Sequence, residues 1–308
     1  MSLAFLYAGQ GSQHPGMGAD LYETYPVFKE VLDSAQVDFD LKTVSFTDPD
    51  EVLNQTEYTQ PCMVAFAAGM TAILYQMGIR PAYAAGLSLG EYSALQAAGV
   101  FTPAQAISLA AFRGKAMASA CAGMACGMTA VLGLDREKLH QACTQAAELG
   151  VVEIANYNCP GQLVIAGQKE AVDKASALAK ELGAKRCLPL KVSGPFHTSL
   201  LHPAGDALRE KFEEVTFGPM AFPVLFNCLG HEMGSDDTIP GLLEKQVQSS
   251  VYMEDTIRRL EALGVDTIVE IGPGKALSGF VKKTAPSIKT YAVETCADVV
   301  ALSAALKG

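Results

Sequence analysis

Tryptophan is missing from this 308-residue chain, and charged residues make up only 18% of it. With 49% hydrophobic residues, the chain has the apolar material for a substantial core, which excludes intrinsic disorder. No run of Lys or Arg relieves a formal net charge of −10, so the basic stripe that nucleic-acid phosphates require is lacking. No stretch approaches the roughly 20 apolar residues that span a bilayer. The apolar opening over residues 3–8 is shorter than a secretory h-region and has no basic residue ahead of it. Eight cysteines stand singly with no CxxC pair, the usage of reduced thiols in a cytosolic protein. These absences lead one to expect a soluble, cytoplasmic protein with no nucleic-acid and no membrane partner.

What is present reads as alternating strands and helices. Residues 3–8 form a short apolar strand that stops at Gly9. Helical patterns follow over 20–35 and 61–77, the second opening on Pro61, where a missing N–H costs nothing. A brief strand over 81–85 leads through a tight turn, Gly86 to Gly90, into helices over 91–98 and 103–120. Strand, glycine turn and helix in that order build α/β domains. After Gly123, strands over 128–133, 151–156, 162–166 and 187–192 alternate with helices over 135–149 and 168–182. That βαββαβ order is ferredoxin-like. Strands over 222–227 and 267–271 then flank a long helix over 239–263. The expected fold class is α/β: a hydrolase-like large domain with a parallel sheet core, residues 1–123 and 194–308, carrying an inserted ferredoxin-like small domain, residues 124–193.

Gly86-Leu87-Ser88-Leu89-Gly90 fits G-x-S-x-G between a strand and a helix. A nucleophilic serine must project from a turn too sharp for flanking side chains, and glycines two positions either side permit it. The N–H of Leu89 then lies at a helix N-terminus, where an oxyanion is stabilised. The loop Gly9-Gln10-Gly11-Ser12-Gln13 is not a dinucleotide loop, because His14 stands where G-x-G-x-x-G needs its third glycine. It can instead supply a second oxyanion donor. His197, in Ser-Gly-Pro-Phe-His-Thr-Ser, lies where the chain leaves the small domain. Zinc is disfavoured: His197 and His202 are five apart, and His231-Glu232 lacks the second histidine of H-E-x-x-H. Arg113 is the informative charge. It sits on an apolar helix face with Ala106, Leu109, Ala110 and Met117, and a guanidinium there is costly unless it meets an anion. It is either a structural cation or a bidentate clamp for a substrate carboxylate.

The segments FLYAGQGSQ, GLSLGEY, RGKAM, NYNCPGQLVIAG, SGPFHTSLL and EIGPGKALSGF, in that order from residue 5 to 280, resemble the bacterial malonyl-CoA:acyl carrier protein transacylases. The resemblance implies transfer of malonyl from malonyl-CoA to acyl carrier protein in fatty acid biosynthesis, through a malonyl-serine. It makes Ser88 the nucleophile and His197 its general base. Arg113 matches the arginine that binds the malonyl carboxylate, and Gln10 and Leu89 contribute to the oxyanion hole. Gln246 matches a glutamine near the histidine, where a main-chain carbonyl orients the imidazole and no aspartate completes a triad. Phe196 matches the malonyl-selecting form of its motif. Leu87 departs from the family's frequent G-H-S-x-G. Coenzyme A enters as the substrate thioester; no metal or other cofactor is expected, and the enzyme is expected to be a monomer. The alternatives are an acyltransferase of a polyketide or malonate pathway and a serine esterase or thioesterase. A hydrolase of related fold would place Asp or Glu between serine and histidine in chain order.

Overall fold

A computed structural model describes residues 2–307. Along the chain run β1 (Leu3–Tyr7), α1 (Ala19–Thr24), α2 (Pro26–Asp33), α3 (Leu41–Phe46), α4 (Thr56–Gln76), β2 (Tyr83–Gly86), α5 (Gly90–Ala97) and α6 (Pro103–Ala120). Then come β3 (Cys126–Leu132), α7 (Arg136–Ala146), β4 (Val152–Cys159), β5 (Gln162–Gln168), α8 (Lys169–Glu181), β6 (Arg186–Pro189) and α9 (His202–Phe212). The last part holds the two-residue strands β7 (Leu225–Phe226) and β8 (His231–Glu232), then α10 (Ile239–Val247), α11 (Met253–Ala262), β9 (Thr267–Ile271), α12 (Ala276–Thr284), β10 (Lys289–Val293) and α13 (Cys296–Lys307).

Two compact units emerge. The first comprises the residues through Gly114, 217–226, and those from Arg258 on. Its sheet has the order β10-β9-β1-β2 with every pair parallel. All five residues of β1 and all five of β9 are buried. Strands covered on both faces cannot alternate polar and apolar residues, and Leu-Ala-Phe-Leu-Tyr does not. Buried Glu270 of β9 accepts the N–H groups of Leu277 and Ser278 (3.0 and 2.7 Å), so its carboxylate caps α12.

The second unit comprises residues 115–216 and 227–257. Its sheet has the order β4-β5-β3-β6 and is antiparallel throughout, the ferredoxin-like arrangement expected from the sequence. Helices α7 and α8 supply Leu139, Ala142, Val172 and Ala175 to its core, against Val131, Ile154 and Ile165. The unit is wider than the 124–193 expected for the small domain. The edge of β4 has captured a distant segment: Val251 donates to Ala155 O (2.8 Å) and accepts from Tyr157 N (2.9 Å).

That capture also corrects the helix expected over 239–263. It is two helices, α10 and α11, because residues 248–252 serve the sheet edge instead. Pro61 does not open its helix either. α4 begins at Thr56, and the bond that Pro61 cannot make falls on the carbonyl of Glu57 in the first turn. The helix expected over 20–35 breaks at Tyr25-Pro26, with Pro26 opening α2.

Candidate active site

In the first unit, β2 ends at Gly86 and α5 begins at Gly90, and Ser88 between them has φ of +52°. A non-glycine residue held there costs about 1–3 kcal/mol, so the surroundings must impose it. They do. A Cβ on Gly86 would lie 2.0 Å from the carbonyl carbon of Gly90, and one on Gly90 would lie 2.3 Å from Tyr7 O. A Cβ on Gly9 would lie 2.6 Å from Leu87 O. The turn is therefore pressed onto the end of β1, where Leu87 N–H also donates to Tyr7 O (2.9 Å). Gly90→Ala is expected to cost about 3 kcal/mol, the upper end of ordinary overpacking, because backbone and not a flexible side chain must yield. Urea unfolding checks this: the midpoint should fall at unchanged m-value.

The side chain of Ser88 meets Arg113, whose Nη2 donates to its Oγ at 3.1 Å. Arg113 is fully buried, and its Nη1 donates to Gln60 Oε1 at 2.9 Å. Gln60 Nε2 donates in turn to Gln10 Oε1 (3.4 Å), and Gln10 Nε2 to Thr56 Oγ1 (3.0 Å). One polar chain thus links the glycine-rich loop, the start of α4, the arginine and the serine. Gly114 lets α6 approach this closely, since a Cβ there would be 2.8 Å from Thr56 O. Leu89 is buried as the N-cap of α5, so its N–H belongs to the helix-start donors that lack an intrahelical acceptor.

In the second unit, His197 is 4% exposed and has φ of +61°, another imposed conformation. Its Nδ1 is 2.9 Å from the main-chain oxygen of Gln246. A carbonyl only accepts, so Nδ1 carries a proton, and in the neutral imidazole the lone pair is then on Nε2. This is the carbonyl contact that the sequence resemblance led one to expect. Gln246 lies in the last turn of α10, whose final carbonyls lack intrahelical donors. Phe196 is buried, its ring so near Gly194 that a Cβ there would be 2.9 Å from Cε1.

Residues 4–301 match the acyl transferase domain family. The chain belongs to that family. The malonyl CoA-acyl carrier protein transacylase of Bacillus subtilis is 42% identical over 294 residues, covering 94% of this chain and 93% of its own. MCAT from Streptococcus pneumoniae superposes with a TM-score of 0.94 at 45% identity, over 99% of this chain and 100% of that one. A malonyl-transacylase solved in complex with a type II PKS acyl-carrier protein gives a TM-score of 0.95 at 37% identity, over 99% and 100%.

Within this acyl transferase, the polar chain around Arg113 has one electrostatic consequence. Burial pulls the guanidinium below its ordinary pKa, opposed by the neighbouring Tyr92 and Glu91. Arginine stays protonated even so, leaving a permanent cation without bulk water around it. Its guanidinium carbon lies 5.5 Å from the Tyr92 ring centroid, within cation–π range. No group of three or more His, Cys, Asp or Glu is placed to hold a metal among the described residues. The acyl transferase motifs did not disclose Gln60 or Thr56. The available signal was Thr56, Thr59 and Gln60, buried polar residues opening an otherwise apolar helix.

Proposed function

We propose that this protein moves malonyl groups from malonyl-CoA to the phosphopantetheine thiol of an acyl carrier protein, for fatty acid biosynthesis, through a malonyl ester on Ser88. The observation that carries the reading is the buried guanidinium of Arg113 at 3.1 Å from the Ser88 hydroxyl. A fixed cation beside a nucleophile suits an acyl group that ends in a carboxylate. The names and lengths of the relatives support the same reaction.

In this mechanism His197 takes the Ser88 proton through Nε2, and the alkoxide attacks the thioester carbonyl. The main-chain N–H groups of Leu89 and Gln10 hold the oxyanion. Coenzyme A leaves as the protonated thiol, with His197 returning the proton. The carrier thiol then gives its proton to His197 and attacks malonyl-Ser88, which restores the serine. Each half-reaction passes through an imidazolium. Gln246 O, at the negative end of the α10 dipole, stabilises that cation where a triad would use aspartate. Arg113 binds the malonyl carboxylate, and Phe196 fills space that a branched acyl group would need. Thioester is exchanged for thioester, so the chemistry calls for no metal and no redox cofactor. The enzyme is proposed to act as a cytoplasmic monomer. A polyketide carrier is the second reading, favoured by the relative solved with a type II PKS acyl-carrier protein.

Intact mass tests the proposal. Malonyl-CoA alone should add one malonyl group to the enzyme, and holo-carrier should then strip it and gain the same mass. Steady release of free malonate without carrier would instead make the protein a hydrolase and sink the proposal.

A further inference from the structure

Two attachments beside His197 and its Gln246 partner lead to the same strand. Two residues after the histidine, Ser199 presents its N–H and its hydroxyl to one carboxylate. Ser199 N donates to Glu153 Oε2 at 2.9 Å, and Ser199 Oγ to Glu153 Oε1 at 2.6 Å. Ser199 opens a short 3-10 turn, Ser199–Leu201, that runs straight into α9. Its N–H is therefore one of the orphan donors of a helix start, and the carboxylate satisfies it from outside the helix. Just downstream of Gln246, the segment that follows α10 is tied to the next residues of β4. Ser250 Oγ donates to Ile154 O at 2.6 Å, and Val251 pairs with Ala155 and Tyr157. Glu153, Ile154, Ala155 and Tyr157 thus grip the chain beside the imidazole and the chain beside the carbonyl that orients it.

The second grip is backbone pairing, reinforced where Tyr157 stacks on Tyr252 (4.9 Å between centroids). The first grip is one side chain. Without it, the imposed φ of His197 loses a restraint two residues away.

The geometry points to Glu153 as a positioning residue for His197: its carboxylate fixes the turn after the histidine to β4, the strand that also anchors the Gln246 carbonyl segment. The inference rests on the reading of His197 as the base. Glu153 touches no substrate. It acts by keeping Nδ1 aligned on Gln246 O, and so keeping the lone pair of Nε2 where the proton must arrive. Small displacements of a catalytic group are expensive, on the order of 100-fold in rate for about 1 Å.

The test compares Glu153→Ala, Glu153→Gln and Ser199→Ala in the full-length enzyme, measuring malonyl-enzyme formation from malonyl-CoA across pH. Glu153→Ala should lower kcat about 10- to 100-fold with KM for malonyl-CoA held within about twofold. Its acid limb should move to lower pH, because an imidazolium that loses alignment with the carbonyl is less stable and its pKa falls. Glu153→Gln retains one acceptor oxygen for the Ser199 hydroxyl and should recover much of the rate. Ser199→Ala should lose part of it, and adding Glu153→Ala to that variant should cost less than it does in wild type. Unchanged kcat and an unmoved acid limb in folded Glu153→Ala would overturn the assignment. If that variant does not fold, the same two readouts on Ser199→Ala decide it. His197→Ala is run alongside: a wild-type rate there rejects the base itself, whereas loss of rate there with none in Glu153→Ala rejects only the positioning role.

Discussion

Ser88→Ala is expected to give a folded protein that acquires no malonyl group and transfers malonyl on the order of 10⁶-fold more slowly. The fold should survive because the turn is built by Gly86 and Gly90 against each other and against β1, none of which changes. Alanine bears the same φ of +52° that serine does, so no strain is added. What is removed is the oxygen proposed to become the ester, together with the acceptor for Arg113 Nη2. A companion variant separates conformation from chemistry. Ser88→Gly should be equally inactive yet about 1 kcal/mol more stable than Ser88→Ala, since glycine adopts a left-handed conformation without penalty. Intact mass after malonyl-CoA and thermal melts of both variants check the pair. A full-strength adduct on Ser88→Ala would place the nucleophile elsewhere.

The second large effect is one of selectivity. Arg113→Ala should lower kcat/KM for malonyl-CoA by on the order of 10² to 10³ while preserving or raising acetyl transfer. Breaking a buried, two-pronged arginine–carboxylate pair costs roughly 3–5 kcal/mol, and each 1.4 kcal/mol is about tenfold. Acetyl-CoA brings no carboxylate. It offers the buried guanidinium no carboxylate beside the Gln60 and Ser88 oxygens, so it gains nothing from the arginine's charge and loses nothing with it. Lysine at 113 should rescue only partly, because a single ammonium cannot hold Gln60, Ser88 and a carboxylate in one plane. The ratio of kcat/KM for the two acyl-CoA substrates, in wild type and variant, is the measurement. An equal loss on both would make Arg113 a structural cation.

Arg113 was legible from sequence because a charge on a helix face of Ala106, Leu109, Ala110 and Met117 has no inexpensive explanation, and all five residues are indeed buried. The elbow was legible because glycine spacing reports backbone crowding directly. The ferredoxin-like sheet was legible because its strands and helices follow one another within one short stretch of chain. Gln60 was not, since a buried amide has no period and no charge; only its partners, from two other segments, reveal its use. The division of residues 239–263 was hidden for a similar reason. Gln248 to Tyr252 carry no helix-breaking residue, and what unwinds them is the edge of β4, nearly 100 residues earlier in the chain. Glu153 was silent on the same ground: its meaning lies wholly in Ser199.

The order of the parallel sheet also says something about how the protein is made. β1 and β2 leave the ribosome early, and the elbow pressed onto Tyr7 can form once Gly90 has followed. Yet β1 is an inner strand whose other edge belongs to β9, about 180 residues beyond β2. At 5–20 residues per second, that edge waits roughly 10–35 s for its neighbour. During that interval the nascent chain holds Leu3–Tyr7 with a row of unpaired backbone groups and apolar side chains on both faces. Translation of this protein therefore contains a built-in window of stickiness, which closes only when Thr267–Ile271 emerges and slots in beside Leu3–Tyr7.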